Sequence, residues 1–117
     1  MTPAVHADVE IRPLTPDDTD AVRELLHVCR GWSTDDRFRQ YFQWKHHSAP
    51  LGPSPAWVAT EGRRLVGFRS FVPWELESGT RARVTAARAV DVATLPAARG
   101  RGVFADLTSH ALAELRA

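Results

Sequence analysis

The stretch Asp91-Val92-Ala93-Thr94-Leu95-Pro96-Ala97-Ala98-Arg99-Gly100-Arg101-Gly102-Val103-Phe104 decides how the rest of the chain is read. Its first residues alternate as the end of a strand. Pro96 stops that strand, and Arg99 to Gly102 make a short loop. Val103, Phe104, Leu107, Ala111, Leu112 and Leu115 then recur at helical spacing, which predicts a helix over Val103 to Arg116 with these residues as its apolar stripe. Two glycines sit where the backbone turns into the helix. The first N–H groups of a helix have no internal acceptor, so with the helix dipole they favour anions. Glycine lets a phosphate come close, and Arg99 and Arg101 add positive charge. The stretch therefore predicts a phosphate or pyrophosphate cradle.

Upstream of it, Thr80 to Leu95 reads as one long strand, entered through a Ser78-Gly79 turn. Leu65 to Trp74 is a strand with Val66, Phe68 and Ser70 on one face and Leu65, Gly67, Arg69 and Phe71 on the other. Pro73 marks an edge or a bend. Glu61-Gly62 is a tight turn back to the strand Ala56 to Thr60. Before it, Ser48 to Pro55 is a proline-rich internal loop. Val9 to Leu14 is a first short strand. Thr15 caps a helix with Pro16 at its first position, and Ala21, Val22, Leu25, Leu26 and Cys29 give that helix an apolar face. Gly31 ends it, and Ser33 or Thr34 opens a second helix carrying Phe38, Tyr41, Phe42 and Lys45. The order is β-α-α-β-β-β-α: an α/β (α+β) fold with helices packed on a mixed, mainly antiparallel sheet.

Composition fits one soluble globular domain over residues 1–117. The 15 basic and 14 acidic residues leave a formal charge of +1, too small for a nucleic-acid binder that works through bulk charge. No apolar run is long enough to span a membrane, and Met1 to Glu10 lacks the pattern of a signal peptide. Cys29 is the single cysteine, so neither an internal disulfide nor a cysteine zinc site is available. These features point to the cytoplasm. His46-His47, His27 and His110 lack ligand spacing, so no metal is expected.

The cradle stretch resembles motif A of the GNAT superfamily, the acetyl-CoA-dependent N-acyltransferases. Arg99 and Gly102 fill the motif's arginine and glycine, and Pro96 its upstream proline, while Phe104 stands at a position that is small in the family pattern. Glu10-Ile11-Arg12-Pro13-Leu14 with Asp17 and Asp18 is similar to a GNAT opening, and Trp57-Val58-Ala59 through Leu65-Val66-Gly67-Phe68 to its second and third strands. The resemblance implies acetyl transfer from acetyl-CoA to a primary amine, on a small molecule or a peptide. It implies that backbone groups of Val92, Ala93 and Thr94 pair with the pantetheine arm. The amides of Gly100, Arg101, Gly102, Val103 and Phe104, with Arg99, would hold the CoA pyrophosphate.

The resemblance also implies a domain that continues past Ala117, so the expected fold is truncated at its C-terminus. Such a chain would expose a sheet edge, which predicts a homodimer or completion by another chain. A non-catalytic CoA-binding or assembly fragment is therefore a second reading. A third is a dinucleotide site, because Gly100 to Ala105 also fits Gly-x-Gly-x-x-Ala, although no βαβ unit surrounds it.

Asp91 is the catalytic candidate. Alternation sets it on the face of Ala89 and Ala93, where burial would raise its pKa toward that of a base. The alternative is an ion pair with Arg88 or Arg69. Glu75 and Glu77 are weaker candidates, readable as solvated turn carboxylates. Trp32, Phe38, Tyr41, Phe42 and Trp44 either line an acceptor pocket, as the resemblance implies, or form core. Cys29 reads as a small buried residue.

Overall fold

The computed structural model describes residues 9–32, 35–46, 50–80 and 82–116. Four strands, β1 (Val9–Pro13), β2 (Ala56–Glu61), β3 (Arg64–Glu77) and β4 (Arg83–Thr94), form an antiparallel sheet in the order β1-β2-β3-β4. Helices α1 (Thr19–Arg30) and α2 (Asp36–His46) precede β2, and α3 (Val103–Leu115) follows β4. The expected order and fold class hold. The positions Ser33 and Thr34, expected to open α2, lie outside the described residues, as does part of the proline loop.

Apolar residues divide the molecule into three layers. Val22, Leu25 and Leu26 of α1 and Phe38 and Phe42 of α2 pack with Val58, Phe68 and Ala93 on one sheet face. Val103, Leu107 and Ala111 of α3 pack with Trp57, Ala59, Val66 and Phe71 on the other. Burying one such leucine or phenylalanine contributes about 1.5–3 kcal/mol. Gly67 sets the spacing of the second layer. A Cβ there would lie 2.8 Å from Leu107 Cδ1 and 3.1 Å from Val103 Cγ1, so a side chain would force these two fully buried residues to shift.

Two bulges change the faces expected from strict alternation. Pairing steps from Ala59↔Gly67 to Thr60↔Leu65, leaving Val66 without a cross-strand partner. Val66 therefore joins the α3 cluster and Leu65 packs against the α1–α2 cluster, the reverse of the expected assignment. Pairing also steps from Arg69↔Val92 to Ser70↔Val90, leaving Asp91 out of the ladder at φ 45°. Asp91 thus shares a face with Ala93 but not with Ala89, which pairs with Phe71 on the α3 side. The helical stripe is also narrower than expected. Phe104 and Leu112 are 50% and 40% exposed, and Val103, Leu107 and Ala111 carry the contact.

Helix ends follow local chemistry. Thr15 precedes a short 3-10 turn, Pro16–Asp18, and Asp18 reaches back to accept from the Thr15 N–H at 2.7 Å. The same carboxylate takes both terminal nitrogens of Arg12 at 2.8 Å, which ties β1 to the start of α1. Those hydrogen bonds hold the Asp18 carboxyl below its ordinary pKa. Gly31, at φ 69°, closes α1.

Candidate functional site

β3 pairs with one side of β4, and among the described residues no strand pairs with the other. The Leu95 N–H donates to Val66 on the sheet side at 2.9 Å. Alternation then turns the Thr94 and Val92 backbone groups outward. The Thr94 carbonyl accepts there from Arg99 Nε at 3.0 Å and from Cys29 Sγ at 3.4 Å. β4 is thus an edge strand among the described residues, its last carbonyl taken by Arg99 and Cys29, and it runs into the loop that follows it.

That loop is a 3-10 turn, Pro96–Ala98, then Arg99 to Gly102, then α3. Gly100 and Gly102 are left-handed, at φ 79° and 78°, with Arg101 at negative φ between them. Residues of alternating hand turn successive N–H groups toward one side, a concavity suited to an anion. The first-turn amides of α3 point the same way along the helix axis. Open space surrounds the position where a Gly100 side chain would begin.

A cavity of about 430 Å³ lies between the β4 edge and this loop. The sequence-marked residues Val92, Ala93, Thr94, Arg99, Gly100, Gly102, Val103 and Phe104 all line it. Arg101 does not. Its guanidinium pairs with Glu61 at the end of β2, and that hydrogen bond lowers the Glu61 carboxyl pKa. Arg101 therefore fastens the loop to the sheet. Phe104 stands outward with the Arg69 guanidinium 5.3 Å from its ring, and Arg69 lies 5.4 Å from Phe71 as well. A bulky side chain is tolerated here because it packs beside Arg69 rather than inside the loop. Sequence reasoning missed Cys29, which is half-buried and lines the cavity from α1. Helical spacing marked it as apolar-face, and nothing local marks a contact with Thr94, 65 residues away.

Asp91 has different surroundings. Its Oδ2 meets Lys45 Nζ and His46 Nε2, each at 2.8 Å, instead of the expected Arg88 or Arg69. His46 is 2% exposed and its Nδ1 lies 2.8 Å from Ser54 Oγ. Burial pushes the Asp91 carboxyl up, but the hydrogen bonds from His46 and Lys45 outweigh it and the net shift is downward. The raised pKa expected of a base is not found. Glu75 pairs with Arg83 at 3.1 Å on the exposed hairpin, as a solvated turn carboxylate would.

The aromatic residues of α2 split. Phe38 and Phe42 are core, at 2% and 1% exposure, and Trp32 packs against them. Tyr41 and Trp44 are 46% and 66% exposed and line a second cavity toward β3 and β4. Among the described residues, no cluster of histidine, cysteine and carboxylate has the makings of a metal site, and no helix is long and apolar enough to cross a membrane.

An antiparallel sheet lies between two helical layers, and a loop with two left-handed glycines joins the end of its edge strand to a helix, which defines an α/β fold of the α+β kind. The acetyltransferase (GNAT) domain family matches residues 10–117, and the chain belongs to that family. Solved structures share the fold. A protein of unknown function from Enterococcus faecalis V583, described as a probable N-acyltransferase, superposes with TM-score 0.77 at 16% identity, over 92% of this chain and 26% of its own. A GCN5-related N-acetyltransferase from Kribbella flavida superposes with TM-score 0.72 at 22% identity, over 97% and 28%. A GNAT family acetyltransferase from Brucella melitensis, solved with acetyl-CoA, gives 0.60 at 22% identity, over 92% and 68%. The chain spans about a quarter of the length of the first two. No curated protein matches it.

Proposed function

We propose that this GNAT domain binds acetyl-CoA along β4 and in the Arg99–Phe104 loop, and transfers the acetyl group to a primary amine. The observation that carries the reading is the single cavity shared by the outward edge of Val92–Thr94 and the left-handed glycine loop. The acetyl-CoA complex of the Brucella melitensis relative supports the same ligand. The residues fit it: an extended arm can pair with the strand edge, and a pyrophosphate can lie against the amides of Gly100 to Phe104. Arg99 uses Nε on Thr94, which leaves its terminal nitrogens for a phosphate.

In the transfer, the amine nitrogen attacks the thioester carbonyl. A C–N bond forms, the C–S bond breaks, and the proton lost from nitrogen balances the one gained by the thiolate. We assign Asp91 a positioning role. Its carboxylate holds Lys45 and His46 at the bulge that shapes the β4 edge, and its lowered pKa makes it a poor acceptor of that proton.

The test is a thermal melt of the chain with acetyl-CoA and with NAD as control. Acetyl-CoA at about 100 times its Kd adds roughly 2.7 kcal/mol and raises the midpoint by several degrees. Gly102→Asp places a carboxylate in the cradle and removes that rise. An equal shift with NAD would favour the dinucleotide reading, and no shift would overturn the site. Binding without acetylation across an amine panel would identify a CoA-binding module that does not turn over.

A further inference from the structure

A second cavity of about 430 Å³ lies on the α2 side of β3 and β4, further along β4 from the cradle. Its walls are aromatic: Tyr41 and Trp44 from α2 and Trp74 from β3, each more than two-fifths exposed. Solvent-exposed aromatics gathered around one hollow indicate a ligand surface. Lys45 lines it too, but its ammonium meets Asp91 at 2.8 Å and its charge is offset there. Arg88 is different. Its guanidinium carbon lies 5.2 Å from the centre of the Trp74 ring, and among the described residues no carboxylate pairs with it. A cation–π contact with the ring keeps the guanidinium beside the pocket, and an arginine without a carboxylate partner can take one through two parallel hydrogen bonds.

The cavity reaches β4 at Val90, which pairs with Ser70 directly beside the Arg69↔Val92 pair, so the two cavities meet the strand at neighbouring ladder positions. A small molecule seated among the aromatic rings would thus have its amine close to the proposed acetyl donor. We infer that this cavity is the acceptor site and that its substrate is a primary amine bearing an aromatic or large apolar group and a carboxylate, which Arg88 binds. The acceptor role rests on the acetyl-transfer reading above. The preference for an aromatic carboxylate stands on this cavity alone. Polyamines and other multiply charged cations are disfavoured, because the uncompensated charge in the pocket is positive.

The experiment is a titration of the whole chain followed by tryptophan fluorescence, since Trp44 and Trp74 both line the pocket. The probes are phenylalanine, phenylalaninamide and spermidine. Phenylalanine should bind at least roughly tenfold more tightly than its amide, the size of a lost charge-assisted hydrogen bond, and spermidine should not compete. Arg88→Ala should abolish the preference for acid over amide, and Arg88→Lys should restore part of it. Arg88 is outside the cradle, so the acetyl-CoA melt of each variant should match that of the unaltered chain. Discrimination without an acetyl-CoA shift would support the pocket's specificity and sink the donor site. An acetyl-CoA shift with equal binding of acid and amide, with a preference for spermidine, or with no binding of any probe would overturn the inference.

Discussion

The two ends of the Val90–Gly102 segment are built on opposite principles. The cradle end is made of backbone: an outward strand edge, two left-handed glycines and the amides of a helix start. It borders a cavity of about 430 Å³. The Asp91 end is made of side chains from distant parts of the chain. Lys45, His46 and Ser54 close around the carboxylate, and their hydrogen bonds are spent on one another. Main chain bordering a cavity can take a ligand; a closed knot can only hold shape. The contrast separates the proposed ligand site from its support within a few residues of the same strand.

Removing the knot should give the largest effect. Asp91→Ala leaves a buried histidine and a lysine without their anion, and should lower stability by about 3 kcal/mol in chemical denaturation. Asp91→Gly removes the same carboxylate but suits φ 45°, so it should be less damaging than alanine by about 1 kcal/mol. Equal losses would mean the backbone is not strained there. Next comes the cradle: Gly102→Asp should remove the roughly 2.7 kcal/mol of stabilisation by acetyl-CoA at about 100 times its Kd. If the ligand still protects the variant fully, the open end of the segment is not the binding end.

Gly67→Ala tests the floor beneath both ends. The added methyl meets Leu107 and Val103, and overpacking of this kind should cost about 1–3 kcal/mol. The smallest effect concerns acid. Asp18 has a lower pKa folded than unfolded, because Arg12 and Thr15 hydrogen-bond its charged form. Its stabilisation is therefore complete above the unfolded value and is lost as pH falls through the folded one. Asp18→Asn should flatten stability below about pH 4, by about 1 kcal/mol or less, in melts taken across the acid range.

The cradle was legible because it is contiguous. Strand, proline stop, two glycines and helix follow one another within 14 residues, and each has a local signal. Only Arg101 among the marked residues turned away, and Glu61, its partner, lies 40 residues upstream. The Asp91 knot was illegible for the same reason in reverse. Its partners come from α2, and the bulge that turns Asp91 toward them adds one residue that alternation does not reveal. The bulge at Val66 hid the true faces of β3 in the same way. Among the aromatics of α2, helical spacing gave the shared face, but the position of β3 and β4 decided which rings became core and which became pocket wall.

The most direct test maps the amide resonances of the chain while acetyl-CoA is added. If the backbone edge and loop are the ligand site, the N–H signals of Val92, Thr94 and Gly100 to Ala105 should move first and furthest. Those of Lys45 and His46 should move little. Perturbation centred on Lys45, His46 and Asp91, with the loop signals unmoved, would contradict the account.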